Sequence, residues 1–525
     1  MPKGYLSIVL HAHLPYVRHP EHDFSLEERW FYEALSECYI PLIWAIERLL
    51  EDRVPFKLTI SLSPPLLCML DDAFLQERYI RHLEGLLELC EKEVRRTKGT
   101  AFEPVAQMYQ YRFRGVHDTF CRRYERCLLK AFKAFQDTGS VEVITSAATH
   151  GYLPLMMVHP EAVRAQVSVG VQTYQRYFDR KPEGIWLPEC AYRPGIDEIL
   201  KEQGIRYFFT DSHGVLFADR RPRYGIFAPI YCPTGVAAFG RDIESSKQVW
   251  SAREGYPGDF DYREYYRDIG FDLDFDYVRP HIHPEGIRIH TGLKYYRITG
   301  ANTHHKEPYM PEWADHKTDI HAANFVFNRE HQVDYLAHHM DRPPLIIAPY
   351  DAELFGHWWF EGPRWLDLLM RKTAQSDRVE MMTPGQYLRR HPCNQVATPC
   401  TSSWGDEGYH DVWLGDTNHW IYRHLHWSAG EMVKLARDYH AADGILERAL
   451  KQAVRELLLA QSSDWAFIMA TGTMVDYAVR RTKRHLANFK GIWHQIRENR
   501  IEPDWISALE ERDNIFPHID YHVYA

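Results

Sequence analysis

The 525-residue sequence predicts an α/β architecture, in which buried strands alternate with helices around a parallel sheet. Three observations carry that reading. Short apolar runs recur, and each ends in polar or reactive residues. Helical patterns separate most of these runs. From about residue 400 the runs stop, and amphipathic helices follow one another instead.

Seven runs are strand candidates. Tyr5–Leu10 leads to His11 and His13, Phe56–Leu62 to Ser63, Val141–Ile144 to Thr145 and Ser146, and Gly184–Leu187 to Glu189. Ile205–Phe209 leads to Thr210 and Asp211, Gly235–Phe239 to Arg241 and Asp242, and Pro344–Pro349 to Asp351. Their length and their β-branched or aromatic content suit strands buried on both faces. Residues 64–139, with LEGLLELCEKEVRR and YERCLLKAFKAF, read as an inserted helical subdomain. Residues 243–340 read as a long, partly irregular elaboration with a hairpin around 286–298. NHWIYRHLHWSAGEMVKLARDYH and GILERALKQAVRELLLAQ predict a C-terminal helical bundle. The expected division is 1–63 with 140–400 for the sheet-bearing domain, 64–139 for the insertion and 401–525 for the helical domain.

Composition narrows the class of function. A net charge of −10 argues against nucleic-acid binding, because neutralising phosphates needs clustered Lys and Arg. The nine cysteines are scattered and form no CxxC pair, which fits reduced thiols better than a disulfide framework or a zinc site. The start, MPKGYLSIVLHAHLPY, lacks the h-region of a signal peptide, and no run reaches the length of a membrane span. A cytoplasmic location is the expectation. The 15 Trp, 32 Tyr and 25 Phe suit sugar stacking as well as core packing. No phosphate loop, dinucleotide fingerprint or GxSxG elbow appears, which removes the usual kinases, dehydrogenases and serine hydrolases.

The strand ends offer the candidate chemistry. Alternation puts His11 and His13 on one face, at the mouth of the sheet. They are metal ligands completed by His150, Asp211, Asp242 or Asp351, or donors to a polar substrate, or histidines bonded to backbone. Glu189, directly after Pro188, is an exposed turn residue or an active-site carboxylate. Asp351 occupies the same kind of position on a later strand. Two such carboxyls facing one cleft form the pair that glycoside chemistry uses, as nucleophile and general acid/base or as acid and base. Trp358, Trp359, Trp404 and Trp413 are sugar platforms or packing residues.

Five segments then acquire a common meaning. HAHLPYV, VEVITSAATHGYLP, GIWLPECAYRP, APYDAELFGHWWFEGPRW and the segment around SSWG and VWLG closely resemble glycoside hydrolase family 57, in order and over nearly the whole chain. The resemblance implies a (β/α)7 barrel with a helical insertion and a C-terminal helical domain. It implies 1,4-α-glucan branching by a retaining double displacement on α-1,4-glucan donor and acceptor chains, with no metal or other cofactor. α-Amylases and 4-α-glucanotransferases of the same family share the first half-reaction. By motif, Glu189 matches the nucleophile and Asp351 the general acid/base. His11, His13 and His150 become contacts lining the donor site. Arg241 and Asp242 would border it, with Arg241 holding Glu189 ionised. Trp404 and Trp413 match aromatic positions of the glucan cleft. Trp250, Asp464 and Trp465 carry over more weakly, and His357 with Trp358 would line the sugar site. Tyr224, in RRPRYGIFAP, would be the tyrosine of a mobile loop near the site.

Overall fold

The structure is a computed structural model that describes residues 2–251, 254–300 and 305–525. Its centre is a curled sheet. The strands are β1 (Gly4–Ala12), β2 (Leu58–Leu62), β3 (Val141–Ser146), β4 (Gly184–Trp186), β5 (Tyr207–Thr210), β6 (Ile230–Tyr231), β7 (Ala237–Gly240), β8 (Leu345–Asp351) and β9 (Val379–Met381). The order is β6-β7-β5-β4-β3-β2-β1-β8, and every ladder among the seven expected strands is parallel. Two short additions lay outside the sequence reading. β6 pairs antiparallel with β7, and β9 takes the edge of β1 ahead of the place where β2 joins it. Between β7 and β8 the curl is bridged by a backbone bond from Asp242 N–H to Ile347 O at 2.8 Å.

Period two sorts the strand residues. One face of the sheet holds Tyr5, Val9, Ile144, Trp186, Tyr207, Phe209, Ala237, Phe239, Leu345 and Ile347, which pack together inside the curl. Continuing each alternation puts His11, Asp211, Arg241 and Asp351 on that inner face at the C-terminal ends of the strands. Register agrees, since His11 pairs with Ser61 on one side and Asp351 on the other. Asp242, one residue out of step, falls on the outer face.

Residues 64–139 form helices only, led by Ala73–Arg96 and Glu103–Asp118. Asp72 caps the first of these, accepting from the Leu75 N–H at 2.9 Å. The hairpin expected around 286–298 is absent. That stretch makes isolated bridges, Arg263 with Arg297 and Tyr296 with Pro308, and the long helix Pro311–Ala337 follows. Residues 291–295 are instead buried in a row against the insertion, with Tyr295 at 5.5 Å from Phe102 and the Lys294 carbonyl accepting from the Tyr109 hydroxyl at 3.1 Å. Beyond β9 a short helix and a long irregular stretch that bridges to the sheet domain at Val396 and Ser402 lead into helices, with Tyr422–Asp438, Gly444–Ala460, Ser463–Thr471 and Val475–Arg497 forming the main bundle.

Candidate active site

The inner strand ends converge on Glu189. This residue and Cys190 take left-handed backbone angles, φ 61° and 49°, as does His150 at 58°. Such angles are uncommon for residues with a Cβ and collect where a side chain must be aimed. Trp404 Nε1–H donates to Glu189 Oε2 at 2.8 Å, and the Ser463 hydroxyl donates to Oε1 at 2.9 Å. The Trp404 N–H also donates to the Glu189 carbonyl at 3.0 Å. Neither donor belongs to the sheet. Ser463 opens the helix Ser463–Thr471, so the positive end of that helix lies beside the carboxylate.

Asp351 closes β8, and no described group donates a hydrogen bond to its carboxyl. Burial raises it to about 6, against the opposing charges of His13 and Arg241. Burial likewise pushes Glu189 up to about 7; its two donors oppose the rise, and the charges of Asp464 and Asp351 add to it. The two carboxyls therefore feel one another. Glu353 does not share their position. It accepts from the Tyr39 hydroxyl and from the His13 N–H at 3.2 Å, and burial pushes it to about 7 as well. It ties the turn after β8 to β1.

The three histidines form a stack. His13 and His150 lie 3.9 Å apart at 16°, and His11 lies against Trp186 at 4.7 Å and 11°. His11 and His150 are buried, and burial drives both imidazoles well below the ordinary histidine value. His13 differs. Burial pulls it down too, but the charge and hydrogen bond of Asp464 outweigh that and raise it. Its Nε2 sits 3.1 Å from Asp464 Oδ2, and its Nδ1 2.9 Å from Ser63 Oγ.

His13, His150 and Asp464 each offer a ligand atom within 4.8 Å of the others, so a metal centre has to be weighed. Every imidazole nitrogen of this group already has a protein partner: His13 with Ser63 and Asp464, His150 with His11 and Ser463. Asp211 pairs with Arg241, and Asp242 with Arg329. An ion would have to displace these bonds, so the donor set fits a hydrogen-bonded site better than a metal centre.

Several expected site residues are engaged differently from the expectation, and some lie away from the strand ends. Arg241 is bound to Asp211, and its charge bears on Asp351 rather than holding Glu189 ionised. Asp242 caps the helix Ile243–Trp250 through the Ser245 N–H at 2.8 Å. It also receives Arg329 at 3.2 Å and Gln332 at 3.0 Å, so its carboxylate is spent on packing outside the curl. Trp413 is buried against Tyr152 at 4.6 Å, and Trp465 is buried with its Nε1–H on Leu459 O; neither presents a face to a ligand. Tyr224 donates to Asp341, just before β8 begins, which puts it at the end of the sheet opposite Glu189. Trp250 ends its helix 68% exposed, with no ring partner among the described residues. Of the adjacent tryptophans, Trp359 is buried, whereas Trp358 is exposed and stacks on Tyr265 at 4.5 Å. His357, between Glu37 at 2.6 Å and Tyr265 at 3.1 Å, anchors that platform. The sequence marked Ser63 only as the end of a strand and gave no sign of Ser463 or Ser61, because serines at these places carry no pattern of their own.

The sequence model of Glycosyl hydrolase family 57 matches residues 7–399. The chain belongs to this family. A second model, 1,4-alpha-glucan branching enzyme, C-terminal, matches residues 424–524, the stretch that contains Ser463 and Asp464. Among curated relatives, a 1,4-alpha-glucan branching enzyme of Thermococcus kodakarensis is 35% identical over 98% of this chain and 77% of its own. Among solved structures, the protein described as a novel alpha-amylase from Thermotoga maritima is 45% identical. It has a TM-score of 0.94, with 99% of each chain covered. The GH57-type branching enzyme of Pyrococcus horikoshii is 34% identical with a TM-score of 0.90, covering 99% of this chain and 97% of its own. The (β/α)7 family barrel with a helical insertion and a C-terminal helical domain is thus the fold.

Proposed function

We propose that this chain is a 1,4-α-glucan branching enzyme with Glu189 as nucleophile and Asp351 as general acid/base. The observation that carries the reading is the unequal treatment of the two carboxyls. Protonating either oxygen of Glu189 sacrifices a donated hydrogen bond, whereas protonating Asp351 sacrifices none. The single-group values, about 7 and about 6, lean the other way by one unit, which is worth about 1.4 kcal/mol. That value for Glu189 already contains its two donors, so the assignment rests on geometry: two donors aim the Glu189 carboxylate, as an attacking group needs, and leave Asp351 unencumbered to take up and release a proton.

The reaction then runs in two displacements. Asp351 protonates the glycosidic oxygen as Glu189 attacks the anomeric carbon, giving a glucosyl ester on Glu189 and a free chain end. Asp351, now a carboxylate, takes the proton of an acceptor 6-hydroxyl, and that oxygen displaces Glu189. The product carries an α-1,6 branch. The exposed platform that Trp358, in the turn that follows β8, makes on Tyr265 suits stacking on an α-glucan face. The branching relatives and the matching C-terminal region favour a sugar acceptor over water. The nine free cysteines suit a reducing compartment, and no described helix is long and apolar enough to cross a membrane. We place the enzyme in the cytoplasm, acting on soluble α-glucan.

The second reading is an α-amylase, favoured by the 45% identity to the Thermotoga maritima enzyme. Incubation with amylose separates the two. A branching enzyme lowers iodine staining and creates α-1,6 linkages with few new reducing ends. Abundant reducing ends without branches would replace branching with hydrolysis, and full activity after Glu189→Gln would end the shared assignment.

A further inference from the structure

Behind Glu189 runs an unbroken line of hydrogen bonds that the two displacements do not use. Ser61 Oγ lies 3.1 Å from His11 Nδ1, and His11 Nε2 lies 3.0 Å from His150 Nε2. His150 Nδ1 is 2.9 Å from Ser463 Oγ, which is 2.9 Å from Glu189 Oε1. Ser61, His11, His150 and Ser463 are all buried, so the links satisfy one another in place of water, with Thr145 O as a second acceptor beside Ser61. A backbone bond from Ser463 N–H to His150 O at 3.0 Å fixes the crossing from sheet to helical domain.

Counting protons gives the line a direction. Two imidazole nitrogens 3.0 Å apart share a single proton. The Ser463 hydroxyl has one proton; given to the carboxylate, it leaves the oxygen to accept from His150 Nδ1–H. His150, kept neutral by burial, then has a bare Nε2 that accepts from His11 Nε2–H. His11, also neutral, accepts at Nδ1 from Ser61. The other acceptor near Ser61, Thr145 O, is farther at 3.4 Å. The stack on Trp186 holds the His11 ring in the plane that this line needs. Turning Ser463 away from Glu189 would require both tautomers behind it to change.

We propose that Ser463 is a positioning residue for Glu189, and that His150 and His11 act through it by committing its one proton to the carboxylate. The proposal rests on the reading of Glu189 as nucleophile. With Trp404 on Oε2 and Ser463 on Oε1, the carboxylate plane is fixed from both sides. The other titratable groups facing Glu189 are His13, Asp464, Asp351, Tyr152 and Cys190, and none of these donates to Oε1.

The test compares Ser463→Ala, Ser463→Thr, His11→Asn and the double variant Ser463→Ala/His11→Asn on amylose, reading kcat, KM and the pH profile of kcat/KM. Loss of the hydroxyl removes a bond that favours the anion, so Ser463→Ala should lower kcat about tenfold or more. It should also move the acid limb up by about one pH unit, with little change in KM. Ser463→Thr keeps the hydroxyl and should recover most of both. His11→Asn should shift the limb the same way by less, and the double variant should match Ser463→Ala alone. The His11→Asn result holds its value if Ser463→Ala folds poorly, because it probes the line from the far end. An unmoved acid limb in Ser463→Ala, or a further independent loss from His11→Asn on that background, would overturn the proposal. A fully active Glu189→Gln would remove the nucleophile assignment itself. A dead Glu189→Gln beside an unaltered Ser463→Ala would remove the positioning role alone.

Discussion

Replacing Asp242 by alanine should unfold this enzyme more readily without disabling it. The carboxylate caps the helix Ile243–Trp250, an arrangement worth about 1 kcal/mol. It also neutralises Arg329, which is fully buried and lies 3.2 Å away. Removing one partner of a buried pair costs roughly 3–5 kcal/mol, since the other charge stays in place. Arg329 keeps Glu244, at 2.6 Å and largely exposed, which moderates the loss. A net destabilisation of about 3–5 kcal/mol follows, with roughly half of it expected for Asp242→Asn, which retains a capping side chain. Thermal inactivation midpoints read the stability, and kcat measured well below those midpoints reads the chemistry. The midpoint should fall while kcat stays near normal. A kcat reduced about tenfold or more at an unchanged midpoint would refute it and return Asp242 to the substrate cleft.

Other outcomes follow from the same geometry. Trp404→Phe keeps the ring against Trp186 but deletes the donor to Glu189 Oε2, which favours the carboxylate. The acid limb of kcat/KM should therefore rise by about 1–2 pH units, with activity recovering at higher pH; a loss equal at every pH would count against the role. Gly356→Ala puts a Cβ 1.9 Å from the Glu37 carbonyl, at a φ of 113°. The turn that carries His357 should shift, lowering both stability and turnover, as thermal melts and iodine assays would register. Tyr224→Phe should leave branching and hydrolysis rates alone, since the tyrosine sits at the far end of β8; a fall in kcat would mean that its loop reaches the cleft.

The strands were legible because strands buried on both faces read as unbroken apolar runs, and each of the seven lies within a few residues of its place. β6 and β9 were not, being two and three residues long. At the strand ends, legibility depended on parity. His11 and Asp351 continue the inner-face alternation, whereas Asp242 falls one step outside it, and an N-cap aspartate after a strand looks the same in sequence as an active-site one. Composition could not separate a buried Trp413 or Trp465 from an open platform, since an indole serves both uses. Ser463 lies more than two hundred and seventy positions from Glu189 and carries no motif, so only the docking of a helix onto the sheet brings them into contact.

That docking sets an order on the life of the molecule. A chain synthesised as far as residue 400 already contains both carboxyls, yet it lacks Trp404 and Ser463, and so both hydrogen bonds that hold Glu189. Until the segment beyond residue 400 has been made, the sheet carries Glu189 without either donor. Seating of the C-terminal helices completes it. On the proposed assignment of Glu189, a chain that has not yet seated these helices has an undirected nucleophile, so cutting a glucan waits on the same docking that brings the C-terminal region into place.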